Sequence, residues 1–225
     1  MEPEAINPKD FNVHGVEEII RRLPKFFTIS VASKRNSGKT VLISELINTL
    51  LKEKKVDIVI VMTGSAGMNA DYSFLPKQLV MQYSERILNN VWQLQKKTPV
   101  KKRKHIFFVF DDCLSTPEAI RAPALTRLYN LGRHAGLSAA ICSQHTASLL
   151  SPTIKGNSDL LLYSALGRMQ LENIWESTTN ISKKDFIAIS EANGGIDFKF
   201  MLLDLYNRST DPREFLAVVK GKAPP

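Results

Sequence analysis

The sequence predicts an α/β domain with a mostly parallel central sheet flanked by helices. Three observations predict it. Apolar runs of strand length alternate with segments of helical periodicity along the chain. The run "FFTISVA" (26–32) leads through "SKRNSGKT" (33–40) into an amphipathic helix, and "VDIVIVMTG" follows as a buried strand, which makes a βαβ unit. The 225 residues, 44% hydrophobic and 23% charged, have ordinary globular composition and suffice for one domain with a substantial core.

Taken in order, residues 1–25 form an N-terminal extension with one short helix, "VEEIIRRL", stopped by Pro24. Residues 26–205 carry the core. After Gly38, Leu42, Leu46, Ile47, Leu50 and Leu51 recur at helical spacing. Residues 64–78, rich in Gly, Ser, Asn, Asp and Pro, read as loop, and "SERILNNVWQLQKK" as helix. "KKTPVKKRKH" is a basic loop around Pro99, and "IFFVFDD" a buried strand ending in two acids. Residues 116–134 are helical, with Pro123 expected to split them. "LSAAICSQ" and "LLLYSAL" are strands, 169–178 and 182–192 helices, and Gly194-Gly195 a turn. "FKFMLLDLY" is a closing strand, and residues 206–225 supply a last one, "FLAVVK", and a tail.

The net charge of +8 and pI near 9.5 suit an acidic partner such as nucleic acid or an anionic membrane, or serve only solubility. Cys113 and Cys142 are not at a metal-binding spacing and adjoin apolar strands, so free thiols in a reducing compartment are expected. No run approaches the ~18 apolar residues of a membrane span, so no membrane partner is expected. The polar, acidic start "MEPEAINPKDF" is no signal peptide, which predicts a protein that is not secreted.

The chemistry concentrates in three places. A phosphate-binding loop reads G-x-x-x-x-G-K-[ST]. Here Gly38, Lys39 and Thr40 fill the last three positions and Ser33 stands at the first. Glycine lets backbone amides approach phosphate, and the following helix N-terminus adds unpaired N–H groups. The loop residues Ser33, Lys34, Arg35, Asn36, Ser37, Gly38, Lys39, Thr40 and Val41 are therefore the nucleotide-binding set. Lys39 is expected on the β- and γ-phosphates of ATP and the Thr40 hydroxyl on Mg²⁺. The second place is the end of "IFFVFDD": Asp111 is expected to hold Mg²⁺, through water, and Asp112 to act as the base toward the attacking water. Two acids at a strand end could instead cap the next helix. The third is Gln144, which would lie beside the γ-phosphate if its strand neighbours the first.

These stretches, with "YNLGRHAGLSAAICSQHTASLLSPTIKGNSDLLLYSA", resemble the FtsK–HerA superfamily of ring ATPases. Within it the chain is most similar to the poxvirus-type genome-packaging ATPases of double-stranded DNA viruses. The resemblance spans roughly residues 26–205, with most specificity at 125–166. It implies a RecA-like P-loop NTPase core with the catalytic strands side by side, a homo-oligomeric ring (pentamer or hexamer) hydrolysing ATP at its subunit interfaces, and double-stranded DNA as cargo. It further implies a capsid vertex or portal protein as partner, and the host cytoplasm, a viral assembly site or the virion as location. Serine at position 33 departs from the usual glycine. Such rings complete the site with a neighbour's arginine. Arg133 in "GRHAG" is one choice, and otherwise a helix-end charge complementing the dipole. Arg35, within the loop as in viral large terminases, is a second, and Arg168 a third.

The basic stretch "KKTPVKKRK" holds six cations and no acid, and Lys101, Lys102, Arg103 and Lys104 are DNA-backbone candidates. A solvated loop or a capsid-docking site is the alternative. It should lie opposite the nucleotide. Tyr72, in the 64–78 loop, is a candidate for stacking on bases. Competing readings are another pump of the same superfamily, a P-loop nucleotide or small-molecule kinase, and a non-enzymatic nucleotide-binding protein. The first usually carries membrane or DNA-reading additions and the second an arginine-rich lid. The four residues Lys39, Thr40, Asp111 and Asp112 argue against the third.

Overall fold

The computed structural model describes residues 7–8, 10–66, 71–114, 116–144, 151–178, 181–195, 197–207, 209 and 211–222. Parts of two expected features, 67–70 of the first loop and 145–150 after Gln144, lie outside them. Among the described residues nine strands form one sheet: β1 (Val13–His14), β2 (Thr28–Ser33), β3 (Ile58–Thr63), β4 (Val80–Met81), β5 (Ile106–Asp111), β6 (Leu137–Ser143), β7 (Leu160–Ser164), β8 (Lys199–Asp204) and β9 (Leu216–Lys220). Their order is β1-β9-β8-β7-β2-β6-β5-β3-β4. The run from β7 to β4 is parallel throughout. β8 runs against its neighbours β7 and β9.

The helices are α1 (Val16–Arg22), α2 (Lys39–Lys52), α3 (Glu85–Lys97), α4 (Pro117–Ile120), α5 (Pro123–Leu131), α6 (Pro152–Asn157), α7 (Arg168–Thr178), α8 (Lys183–Asn193) and α9 (Pro212–Phe215). Pro123 splits the 116–134 segment as expected, because it starts α5 at the position where a missing N–H costs nothing. Two cores result. Val16, Ile19, Leu42, Leu46 and Ile47 of α1 and α2 pack on one face of the sheet with Ile29, Val31, Phe107 and Val109. Leu88, Leu125, Leu128, Ile174 and Phe186 cover the other with Phe108, Phe110 and Ile141. Neighbouring strand residues thus face opposite layers, which is why the strands read as continuous apolar runs.

The two ends of the sheet are built differently. The parallel strands β2, β5 and β6 finish together at Ser33, Asp111 and Ser143. At their beginnings, His105 is clamped between the Lys55 carbonyl (2.6 Å) and the Ser138 hydroxyl (2.7 Å). Burial pulls its imidazole below the usual range, so it is a neutral structural pin.

Candidate nucleotide-binding site

The loop between β2 and α2 is built for approach to an anion. Asn36 (φ 60°) and Gly38 (φ 85°) take left-handed conformations that turn successive amides to one side. No side chain caps the start of α2, so its first N–H groups remain uncommitted by a cap. The loop forms the floor of a cleft of about 530 Å³ lined by residues 34–41 together with Thr63, Ser65, Asp71, Asp111, Asp112 and Gln144. The structure brings residues 34–41, Asp111, Asp112 and Gln144 to one cleft, whereas Ser33, also expected in the nucleotide-binding set, is buried at the end of β2 and does not line it.

The side chains meet because β6 lies between β2 and β5. The Lys39 amine donates to Asp112 Oδ2 at 2.6 Å and lies 3.6 Å from Asp111 Oδ1. Gln144 Nε2 donates to the same Asp112 oxygen at 3.1 Å. Asp112 reaches them because the chain turns left-handed there (φ 49°), just after its N–H has closed the ladder on Cys142. Lys39 is buried. Burial works against its charge, but the surrounding anionic groups outweigh it and hold the amine above its ordinary value.

Asp111 is buried, and burial pushes its carboxyl up against the opposing pull of Lys39 and of a hydrogen bond from Tyr72. Tyr72 is the largest correction to the sequence reading. It does not stand free to stack on bases: it is 5% exposed and its hydroxyl donates to Asp111 Oδ2 at 2.8 Å. It is a positioning residue for Asp111. Asp71 beside it and Thr63 at the end of β3 also enter the cleft. The strand ending in Thr63 was legible, but nothing in the sequence links Tyr72 to Asp111.

A divalent cation fits what remains. Among the described residues, Asp111 Oδ1 is shielded from solvent and has no hydrogen-bond partner, and its 3.6 Å separation from Lys39 is too long to be one. Thr40 lines the same cleft. Among the described residues no group of three or more His, Cys, Asp or Glu could hold a metal ion. Such a site suits a cation that takes one or two protein oxygens and completes its shell with water and other oxygen ligands. The Ser33 and Ser37 hydroxyls are likewise buried with no partner among the described residues.

Of the remaining candidates, Arg35 belongs to this cleft and the others lie elsewhere. Arg35 is exposed on the loop itself. Arg133 precedes β6, and the seven residues of that strand separate it from Gln144 by about 20 Å at ~3.3 Å per residue. Arg133 lines a different cleft, of about 520 Å³, with Lys25, Tyr129, Asp159 and Asp204. Arg168 starts α7 and pairs with Glu172 at 3.5 Å. The basic loop precedes β5, at the end of the sheet opposite the nucleotide cleft as expected. Within it Arg103 is committed to the fold, donating to the Thr98 and His134 carbonyls. Lys101 and Lys102 are exposed, and the exposed Lys104 lies 3.6 Å from Asp57. Cys142 is buried, Cys113 half-buried, and both are free thiols pushed up by burial.

A phosphate loop on one strand, two acids ending a second and a glutamine ending the strand between them decide the fold assignment. This is a P-loop NTPase fold. The chain is similar in structure to the genome packaging NTPase B204 of Sulfolobus turreted icosahedral virus 2. The B204 complex with ATP-gammaS matches at a TM-score of 0.63 and 17% identity, covering 87% of this chain and 98% of that one. The complex with AMPPCP matches at 0.64 and 18%, covering 89% and 100%. The pCW3 conjugation coupling protein TcpA matches at 0.57 and 15%, with 84% of this chain on 62% of that one. The type VII secretion ATPase EccC of Thermomonospora curvata matches at 0.59 and 12%, with 87% of this chain on 24% of that one. No family model matches the chain, and no curated protein matches it in sequence. The P-loop NTPase fold found here is the one expected from the sequence. No helix among the described residues is long and apolar enough to cross a membrane.

Proposed function

We propose that the chain is an ATP-driven translocase of double-stranded DNA that packages a viral genome into a capsid, hydrolysing ATP at the subunit interfaces of a homo-oligomeric ring. The observation that carries this reading is the convergence of Lys39, Asp111, Asp112 and Gln144 in one cleft. The likeness to B204 over almost the whole length of both chains supports it, as does the net charge of +8. In this reading Lys39 and the loop amides take the phosphates of ATP, while Thr40 and Asp111 hold Mg²⁺, which supplies charge neutralisation at the phosphates when bound. Lys39 then exchanges Asp112 for phosphate. Asp112, released from that ion pair, accepts the proton of a water that Gln144 helps to orient.

Arg133 lies too far from its own cleft to act there and serves as the finger of the neighbouring subunit. That role calls for head-to-tail packing, in which the strand beginnings of one subunit face the strand ends of the next, and such an interface closes into a ring. Arg35 is the choice for a contact within the subunit. The exposed lysines Lys101, Lys102 and Lys104 contact the DNA backbone without reading sequence. Arg103 braces their loop against the turn that carries Arg133, so grip and finger are mechanically joined.

The DNA contact has a direct test. Replacing Lys101, Lys102 and Lys104 by glutamine is expected to weaken duplex binding at low salt. It should also flatten the plot of log affinity against log salt by about 0.9 for each phosphate no longer neutralised. An unchanged slope would remove this loop from the DNA interface and leave it as a solvated face or a capsid-docking element.

A further inference from the structure

Across the sheet from the cleft's acids, the phosphate loop meets a side chain that nothing above explains. Phe198, just before β8, is 58% exposed. It and Asp197 both adopt left-handed conformations (φ 59° and 52°), which are unusual for a bulky residue and persist only where the surroundings enforce them. The enforcement is visible. Gly195 (φ 87°) donates its N–H to the Lys199 carbonyl at 3.1 Å, and the Ser164 hydroxyl donates to the same carbonyl at 2.7 Å. A side chain on Gly195 would come within 2.9 Å of the Ala165 Cα, so this turn is clamped to the end of β7. The Phe198 ring lies against the phosphate loop at Gly38. A Cβ on Gly38 would sit 3.1 Å from both Cβ and Cδ1 of Phe198.

The sheet order gives that contact a direction. The loop leaves β2, and Lys39, Asp111, Asp112 and Gln144 gather on the side of β6 and β5. Phe198 lies on the opposite side, beyond β7 at the start of β8. In a phosphate loop the lysine and metal mark the β- and γ-phosphates, while the backbone cradles the α- and β-phosphates. The nucleoside therefore leaves the loop away from Lys39 and Asp112, toward Phe198. We infer that Phe198 is the stacking platform for the base of the bound nucleotide. This rests on the nucleotide-binding reading of the loop. Every base has a π-face, so the platform adds affinity with little choice between ATP and GTP.

The test compares ATP with inorganic tripolyphosphate, which has the phosphates but no base, by titration calorimetry on the full chain with Mg²⁺. Phe198→Ala is expected to weaken ATP binding about tenfold and leave tripolyphosphate binding unchanged, with Phe198→Tyr restoring ATP affinity. Equal weakening of both ligands would make Phe198 only a brace for Gly38 and overturn the proposal, as would ATP binding indifferent to Phe198→Ala. Failure of the unmodified chain to bind either ligand would sink the phosphate-loop reading, and this one with it.

Discussion

Asp112→Asn is expected to lower ATP turnover by roughly 10²–10⁴-fold, the range for removal of a general base, while ATP binding is kept or tightened. The sign of the binding effect follows from the geometry. Lys39 spends its amine on Asp112 at 2.6 Å, so phosphate must compete with that carboxylate. Asparagine is nearly isosteric and can still accept from Gln144, but it no longer holds the lysine by charge. A measured loss of ATP affinity in step with turnover would place Asp112 in ground-state binding instead. Single-turnover kinetics beside equilibrium binding separates the two.

Arg133→Ala is expected to cost about 10³–10⁵ in turnover, the range for a finger supplied by a neighbour. The loss should be recovered in part by mixing. A Lys39→Ala subunit has a dead cleft but an intact Arg133, and an Arg133→Ala subunit has the converse. Where subunits exchange, mixed rings set the intact finger against the intact cleft. The alternative role of Arg133, a helix-end charge complementing the dipole, predicts no such complementation. Two dead variants that stay dead when mixed, under proven exchange, would return the finger to Arg35.

Much of this was legible in the sequence for physical reasons. Strands buried on both faces are continuous apolar runs, so β2, β3, β5, β6 and β7 announce themselves. The glycine, lysine and threonine of the loop and the acids after Phe110 mark their own chemistry. What stayed hidden depends on tertiary neighbours. β1 and β4 are two residues each, too short for any periodicity, and exist because a longer strand offers them an edge. α6 contains Gly156 and buries Ile154, and hydrogen bonds from Thr28 to the Asn157 carbonyl and from Asn157 to Asn130 hold its end. Tyr72 is hidden for a sharper reason. Its partner Asp111 is 39 residues away, and an aromatic in a polar loop looks like a surface residue until the fold buries it. Phe198 reads as a strand residue, and only the left-handed turn before β8 keeps it out of the core. That β6 lies between β2 and β5 was the condition for Gln144 to matter, and the pairing of both neighbours with β6 meets it.

The central claim is that nucleotide chemistry in this cleft serves movement of DNA. It is tested most directly by ATP hydrolysis with and without double-stranded DNA, across a range of salt, with Asp112→Asn as control. The account predicts turnover raised by duplex DNA at low salt, with the stimulation fading as salt rises and turnover in the control lower by roughly 10²–10⁴-fold. Robust hydrolysis indifferent to duplex DNA, or turnover only when a small phosphate acceptor is supplied, would contradict it and point to a kinase.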